Sequence, residues 1–163
     1  MSINIHVNDA NLVRAINAAP AAINAALDAT VTGITLDAEG GVIAATPVGA
    51  TGHARQAIAH QFNGSGLMTS GRVFSSDMPI KTASLEHGRR PGKMPPRGPI
   101  ELWVARKLGI GGPEGRSVAF LIARSIGRRG TKGAHMFSKG ADVARASAAK
   151  RMPALRAAIG RVL

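Results

Sequence analysis

The stretch Thr32-Gly33-Ile34-Thr35-Leu36-Asp37-Ala38-Glu39-Gly40-Gly41-Val42-Ile43-Ala44-Ala45-Thr46 decides the fold. Read one way, it continues a helix whose apolar positions Ile23, Leu27, Val31 and Ile34 recur at spacings of four, four and three, the repeat of a single helical face. Gly40 and Gly41 then sit inside that helix at a cost of about 1 kcal/mol each. Read the other way, it is a β-hairpin turning at Glu39-Gly40-Gly41. The helical reading is favoured and carries the helix to about Ala45. Pro20 suits its first turn.

Upstream, Ile3, Ile5 and Val7 alternate with Asn4, His6 and Asn8, the period of a half-buried strand. Asn8 or Asp9 can cap a short helix with Leu12, Val13 and Ile16 on one face. Downstream, Pro47 to Gly52 is a turn-rich break. Gln56–Phe62 and Leu67–Ser75 flank Asn63-Gly64-Ser65-Gly66, a hairpin signal. After the turn Ser76-Asp77-Met78-Pro79, residues Ile80–Glu86 read as a short helix or turn returning to the sheet. Pro99 opens a helix with Ile100, Trp103, Val104 and Leu108 on one face, stopped by Gly109. A further helix beyond Gly111-Gly112-Pro113 has Val118, Leu121, Ile122 and Ile126 as its expected buried face. From Met136 the chain reads as helical to about Arg151, breaks at Pro153 and ends in a short apolar segment with Leu155, Ile159 and Leu163. The expectation is a single α+β domain over 1–163: a small antiparallel sheet, a long N-terminal helix and several C-terminal helices packed on it. The basic helical part, about 135–163, is expected to extend onto neighbours.

The chain has 163 residues, enough for one domain that buries roughly 68–70% of its unfolded surface. Apolar residues make up 45% of it, but aromatics only 3%. Alanine carries much of that count, so the core is expected to be thin and to be completed by assembly with copies of the chain. Cysteine is absent, which removes disulfides and thiolate metal sites and fits a reducing compartment. No run approaches the ~20 apolar residues of a membrane span, and the N-terminus has no signal-peptide core. These features read as a soluble protein, made in the cytoplasm, with no membrane partner.

Charge divides the chain. Residues 1–81 carry four basic groups against five acids, whereas residues 82–163 carry 17 against four, a net of +13 out of the total +12. Such asymmetry points to an acidic or polyanionic partner for the second half. One basic cluster lies within Ser84–Leu108, where Arg89, Arg90, Lys93 and Arg97 share a loop with Pro91, Pro95 and Pro96. That loop is neither regular helix nor central strand. Arg128-Arg129-Gly130-Thr131-Lys132-Gly133 is a second basic, glycine-bearing loop.

Catalytic and cofactor patterns do not emerge. Ser65 lacks the G-x-S-x-G context and reads as turn chemistry. Gly88-Arg89-Arg90-Pro91-Gly92-Lys93 is too short for a phosphate loop, has Met94 where Ser or Thr is needed, and precedes prolines instead of opening a helix. Gly109-x-Gly111 follows a helix, not a strand, which removes the dinucleotide reading. His6, His53, His60, His87 and His135 are scattered, with no pair at metal-ligand spacing. No spacing singles out Asp77 with Glu86 as a carboxylate pair, and Glu86-His87 point apart as neighbours in one element. Glu86 is instead expected to hold the Arg89/Arg90 loop through charge-assisted bonds, and Trp103 to sit in the core. The basic loops lack interleaved aromatics for stacking on single-stranded bases, and no RNP, homeodomain or zinc-finger pattern is present. Phosphate contact remains open.

An ordered set of motifs goes further. Pro47 with Thr51-Gly52 follows the long helix, then Arg55-Gln56-Ala57-Ile58 and a hairpin with its turn near Gly64. Pro79 precedes Leu85-Glu86-His87-Gly88. Pro95-Pro96 leads through Trp103 to Lys107-Leu108-Gly109. Val118 to Ile126, then Gly130-Thr131-Lys132-Gly133, lead to Met136-Phe137. In this order, over about Ala18 to Ala149, the chain resembles the tailed-bacteriophage family of tail-completion or head–tail joining proteins (minor tail, neck). Ile80-Lys81-Thr82-Ala83 departs from the aromatic–Ala pair usual there. The resemblance implies a virion protein without catalysis or cofactor, forming a ring, sixfold in such a family, in the neck or at the head-proximal end of the tail. Its implied partners are further copies of itself, the tail tube or tail terminator, the head–tail connector and, non-specifically, packaged DNA. Candidate contact residues are Glu86, Arg89, Arg90, Lys93, Arg97, Trp103, Arg128, Arg129 and Lys132. The alternative reading is a basic nucleic-acid-binding accessory protein.

Overall fold

The computed structural model describes residues 2–5 and 21–161. The elements expected from Val7 to Pro20, and Leu163, lie outside the described residues. Strand β1 (Ser2–Ile5) precedes helix α1 (Ala21–Ala45), which runs through Gly40-Gly41 without interruption. Helix α2 (His53–Gln56) leads into the hairpin β2 (Ile58–Asn63) and β3 (Ser70–Ser75), with a 3₁₀ turn at Gly66–Met68 between the strands. Then come α3 (Pro79–His87), β4 (Gly88–Arg89), α4 (Arg97–Leu108), α5 (Gly112–Arg129), β5 (Thr131–Lys132) and α6 (Met136–Gly160). The antiparallel sheet has the order β1-β3-β2, and β4 pairs with β5 in a separate two-stranded ribbon. The fold class is α+β.

Why the 32–46 stretch is helical follows from its partner. Helices α1 and α6 lie antiparallel along their length: Thr46 meets Met136, Val42 meets Gly140, and Asp37 meets Ser147. A Cβ on Gly140 would strike the Val42 side chain, and one on Gly41 would lie 2.9 Å from a Val143 methyl. Glycine on both sides lets the two helices approach where larger residues would hold them apart. Close packing there offsets the local propensity cost of Gly41. Ile34, Ala38, Val42, Ile58, Val73, Met136, Phe137 and Ala144 form one core, and Ile23, Leu27, Leu155 and Ile159 a second. All four positions of the expected α1 face, Ile23, Leu27, Val31 and Ile34, are buried.

The sheet is pinned to α1 by Asp28, which accepts hydrogen bonds from the Gly66 amide (2.8 Å) and from the Thr69 hydroxyl. Strand β3 crosses α1 closely at Gly71, where a Cβ would collide with Thr35. Ser70–Ser75 pair with both β1 and β2, so β3 is the central strand.

Three expectations are corrected. Pro153 does not end the last helix but lies inside α6. Proline forfeits the bond to the carbonyl of Ala149 and crowds it, but both residues are exposed, so water can satisfy that carbonyl while Leu155 and Ile159 hold the final turns on α1. The buried face of α5 is Gly115, Ala119 and Ala123, not the bulky set Val118, Leu121, Ile122 and Ile126; Leu121 is 60% exposed. Small residues at a spacing of four let α4 and α5 lie close together, with Val104 as the one buried side chain of α4. That helix also starts at Arg97, ahead of Pro99, and leaves Leu108 exposed. Gly109, at φ 70°, ends it as expected. The segment beyond 135 packs on the chain's own α1.

Candidate contact surface

Glu86 organises the region around the ribbon. It occupies the last turn of α3, is 2% exposed, and accepts hydrogen bonds from the backbone amides of Phe137 (2.9 Å) and Ser138 (3.3 Å). These are first-turn N–H groups of α6, which no helical carbonyl can satisfy, and a carboxylate there also complements the helix dipole. His135, at φ 52°, leaves its own side chain unused as a cap. The expected partnership of Glu86 with Arg89 and Arg90 is therefore corrected. Its oxygens face the amides of α6, and its burial places it inside the chain rather than on a contact surface. The same turn is tied by backbone bonds from Ala134 to Leu85 (2.7 Å) and from His135 to Glu86 (3.2 Å).

Those bonds bring two distant basic loops side by side. Gly88 pairs with Lys132 and Arg89 with Thr131, and the Gly92 amide donates to the Gly127 carbonyl at 2.8 Å. Gly130, at φ 72°, packs so close to the Arg89 carbonyl that a side chain would not fit. Arg89 is half-buried, and its guanidinium donates to the Lys93 carbonyl, shaping the loop. Arg90, Lys93, Arg128, Arg129 and Lys132 are exposed, as is Arg97 in the first turn of α4. Among the described residues, none of these cations lies within ion-pair distance of a carboxylate.

Beside this cluster lies a groove of about 770 Å³ whose surface is mainly apolar, with Asp77, Lys81 and Arg89 also in its lining. One wall is α3, through Ile80 and Leu85; the other is the α4–α5 pair, through Ile100, Trp103, Ile122 and Ile126. Trp103 is half-buried in that wall rather than enclosed in either core cluster. Ile80 is 82% exposed. Sequence reasoning singled out Trp103 but not this groove, whose walls come from segments each carrying only isolated apolar residues. The one available signal was the set Val118, Ile122 and Ile126, which repeats every four residues without belonging to the buried face.

Elsewhere, Asp77 accepts a hydrogen bond from the Met78 amide and lies near Lys81 and His53. The Met78 amide holds its carboxyl below the usual range. On the α1–α6 seam, Asp37 accepts from the Ser147 hydroxyl (2.6 Å) and from Arg151 (3.0 Å), which hold its carboxyl low. Among the described residues no group of three or more His, Asp or Glu side chains is placed to hold a metal ion, and no helix is long and apolar enough to cross a membrane. No protein-family model, curated protein or solved structure matches the chain.

Proposed function

We propose that the chain is a structural protein of a tailed bacteriophage that assembles as a ring, hexameric in the simplest form. The ring lies in the neck or at the head-proximal end of the tail, completes the tail and joins it to the head. Its partners are further copies of itself, the tail tube or tail terminator and the head–tail connector. Its site is the virion, reached from the host cytoplasm during assembly, and no catalytic step is assigned to it. The ordered motifs from Pro47 to Phe137 bring this family to mind. The observation that carries the reading is the open groove of about 770 Å³ beside Trp103. An apolar concavity of this size, bordered by exposed Ile80, is the kind of surface that a neighbouring subunit covers.

Native mass measurement of the purified protein, alone and mixed with tail tubes, tests the proposal. A closed oligomer, or co-assembly with tails, is the expected result. A strict monomer that joins neither tails nor connectors would sink it. A Trp103→Ala variant that stays folded but no longer assembles would locate the contact at the groove.

A further inference from the structure

We infer that the exposed cations of the β4–β5 ribbon form a binding surface for the phosphate backbone of double-stranded nucleic acid. The surface consists of Arg90 and Lys93 on the loop after β4, Arg128 and Arg129 in the last turn of α5, and Lys132 on β5. It does not require the ring, and it concerns a different surface from the groove.

Placement is the first support. The two loops are more than thirty residues apart in the chain, yet the β4–β5 pairing, the Gly92–Gly127 bond and the tight seat of Gly130 against Arg89 hold them together. Five exposed positive charges converge on one small ribbon. Segments 87–100 and 115–141 contain no acid at all. The nearest carboxylate in sequence, Glu86, is buried against the amides of α6, and Glu101 and Asp142 lie just beyond these segments. Clustered cations repel one another; the C-terminal dipole of α5 offsets part of this for Arg128 and Arg129, but none of the five lies within ion-pair distance of a carboxylate among the described residues. An external polyanion would neutralise them.

Side-chain chemistry then selects the kind of polyanion. Residues 88–93 and 127–133 hold Gly, Arg, Lys, Thr and a single Pro, with no Leu, Ile, Val, Met or aromatic residue. A protein partner is gripped by apolar and aromatic anchors at the centre of its interface; here Met94, against Gly127, is the one such side chain next to the cations, and the apolar groove lies to one side of them. Protein–nucleic acid surfaces are instead polar and strongly basic. Without a ring to stack on, the patch offers nothing to unpaired bases, and without Asn, Gln or a helix presented at its centre it has no means of reading base edges. What remains is non-specific contact with phosphates, for which arginine's planar fork is well suited. Arg97 fits the same picture. It is a cation in the first turn of α4, where the helix dipole favours an anion, and α4 has neither an acidic first turn nor a side-chain cap.

The test measures binding of the full chain to a mixed-sequence DNA duplex, to a single strand of the same length and to polyglutamate, each across a salt series. The duplex is expected to bind best, with a log–log salt slope of about −4.5, or about −0.9 for each of the five cations. The triple variant Arg90→Ala, Arg129→Ala, Lys132→Ala should reduce the slope by about 3. The control Lys150→Ala, Arg156→Ala, Arg161→Ala removes the same charge from exposed positions toward the far end of the chain and should change it little. Equal loss in both triple variants would overturn the inference, because net charge would then suffice. Polyglutamate bound as tightly as the duplex would overturn it in favour of an acidic protein partner, and tighter single-strand binding would overturn it in favour of base stacking. Native mass spectra of the same samples separate the two proposals. A monomer whose duplex binding needs the cluster refutes only the ring, and a ring whose duplex binding ignores the cluster refutes only this inference.

Discussion

The α1–α6 body and the α4–α5 pair are both built of two helices, yet their packing differs in kind. In the body, two 25-residue helices run antiparallel, closed by glycine at Gly41 and Gly140 and filled by Ile34, Val42, Met136 and Phe137. The sheet covers one side of them. In the α4–α5 pair the buried residues are Val104, Ala119, Ala123 and Gly115, which remove little apolar surface from water. Each helix of that pair touches mainly the other. Its links to the body are the β4–β5 ribbon, the Gly92–Gly127 bond and the bond from Arg106 to the Ala50 carbonyl. Of their bulky side chains, Ile100, Leu102, Trp103, Ile122 and Ile126 line the groove, while Leu108, Phe120 and Leu121 are exposed. One pair is a core, and the other is one wall of an open groove.

Hydrogen exchange is the sharpest way to break that comparison. Amides at Ile34, Ala38 and Val42 should exchange only through global unfolding, and those from Trp103 to Leu108 through local opening, at least about a hundredfold faster. Equal rates would mean the two pairs unfold as one unit. Assembly should slow exchange in α4 while leaving α1 unchanged.

Glu86→Ala comes next in size. It strands the Phe137 and Ser138 amides at the start of α6, and loss of a buried acceptor there should cost about 1–3 kcal/mol in denaturant unfolding. Glu86→Gln keeps one acceptor oxygen and should cost less. Because Glu86 sits between the body and the ribbon, the alanine variant should also loosen the basic loops, visible as faster exchange at Gly92 and Gly130. A variant that leaves both stability and exchange unchanged would remove Glu86 from this role.

For Trp103→Ala the comparison predicts a smaller effect on folding than on assembly. An enclosed tryptophan costs about 3–5 kcal/mol when truncated. A half-buried ring on a groove wall has less to lose, about 1–2 kcal/mol, while any subunit seated on it loses its anchor. A cost at the upper end of the enclosed range would place Trp103 in the core after all.

How far these features could be read from the chain depends on where their physical cause lies. The first half of α1 was legible because Ile23, Leu27, Val31 and Ile34 repeat within one helix, and all four are buried. Its second half was not decided locally: Gly40-Gly41 suits a hairpin as well, and the deciding partner, Gly140, lies about a hundred residues away. Pro153 misled for a related reason, since Leu155 and Ile159 hold the helix beyond it to α1. In α5 the large apolar residues attracted the reading, although close helix contact used alanine and glycine. The charges of the ribbon were plain in the sequence, but two-residue strands carry no periodicity, so their convergence was not. Glu86 was singled out correctly as a structural carboxylate and assigned the wrong partners, because its donors are backbone amides with no sequence signature.

The smallest expected effect returns to the body and tests whether its outer seam matters. Ser147 and Arg151 on α6 hold the Asp37 carboxyl below its ordinary value of 3.8. A carboxyl whose folded pKa is depressed contributes its stability above the unfolded value and loses it as pH falls through the folded one. The contribution is therefore complete at neutral pH and declines below about 3.8. Asp37 and Arg151 are both nearly half exposed, so solvent screening keeps the contribution to at most about 1 kcal/mol, and added salt should shrink it further. Unfolding of wild type and Asp37→Asn in a pH series should show a small gap that is constant around neutrality and closes in acid. A gap that widens as pH falls would mean the Asn variant has disturbed the packing of α1 on α6 rather than removed a charge.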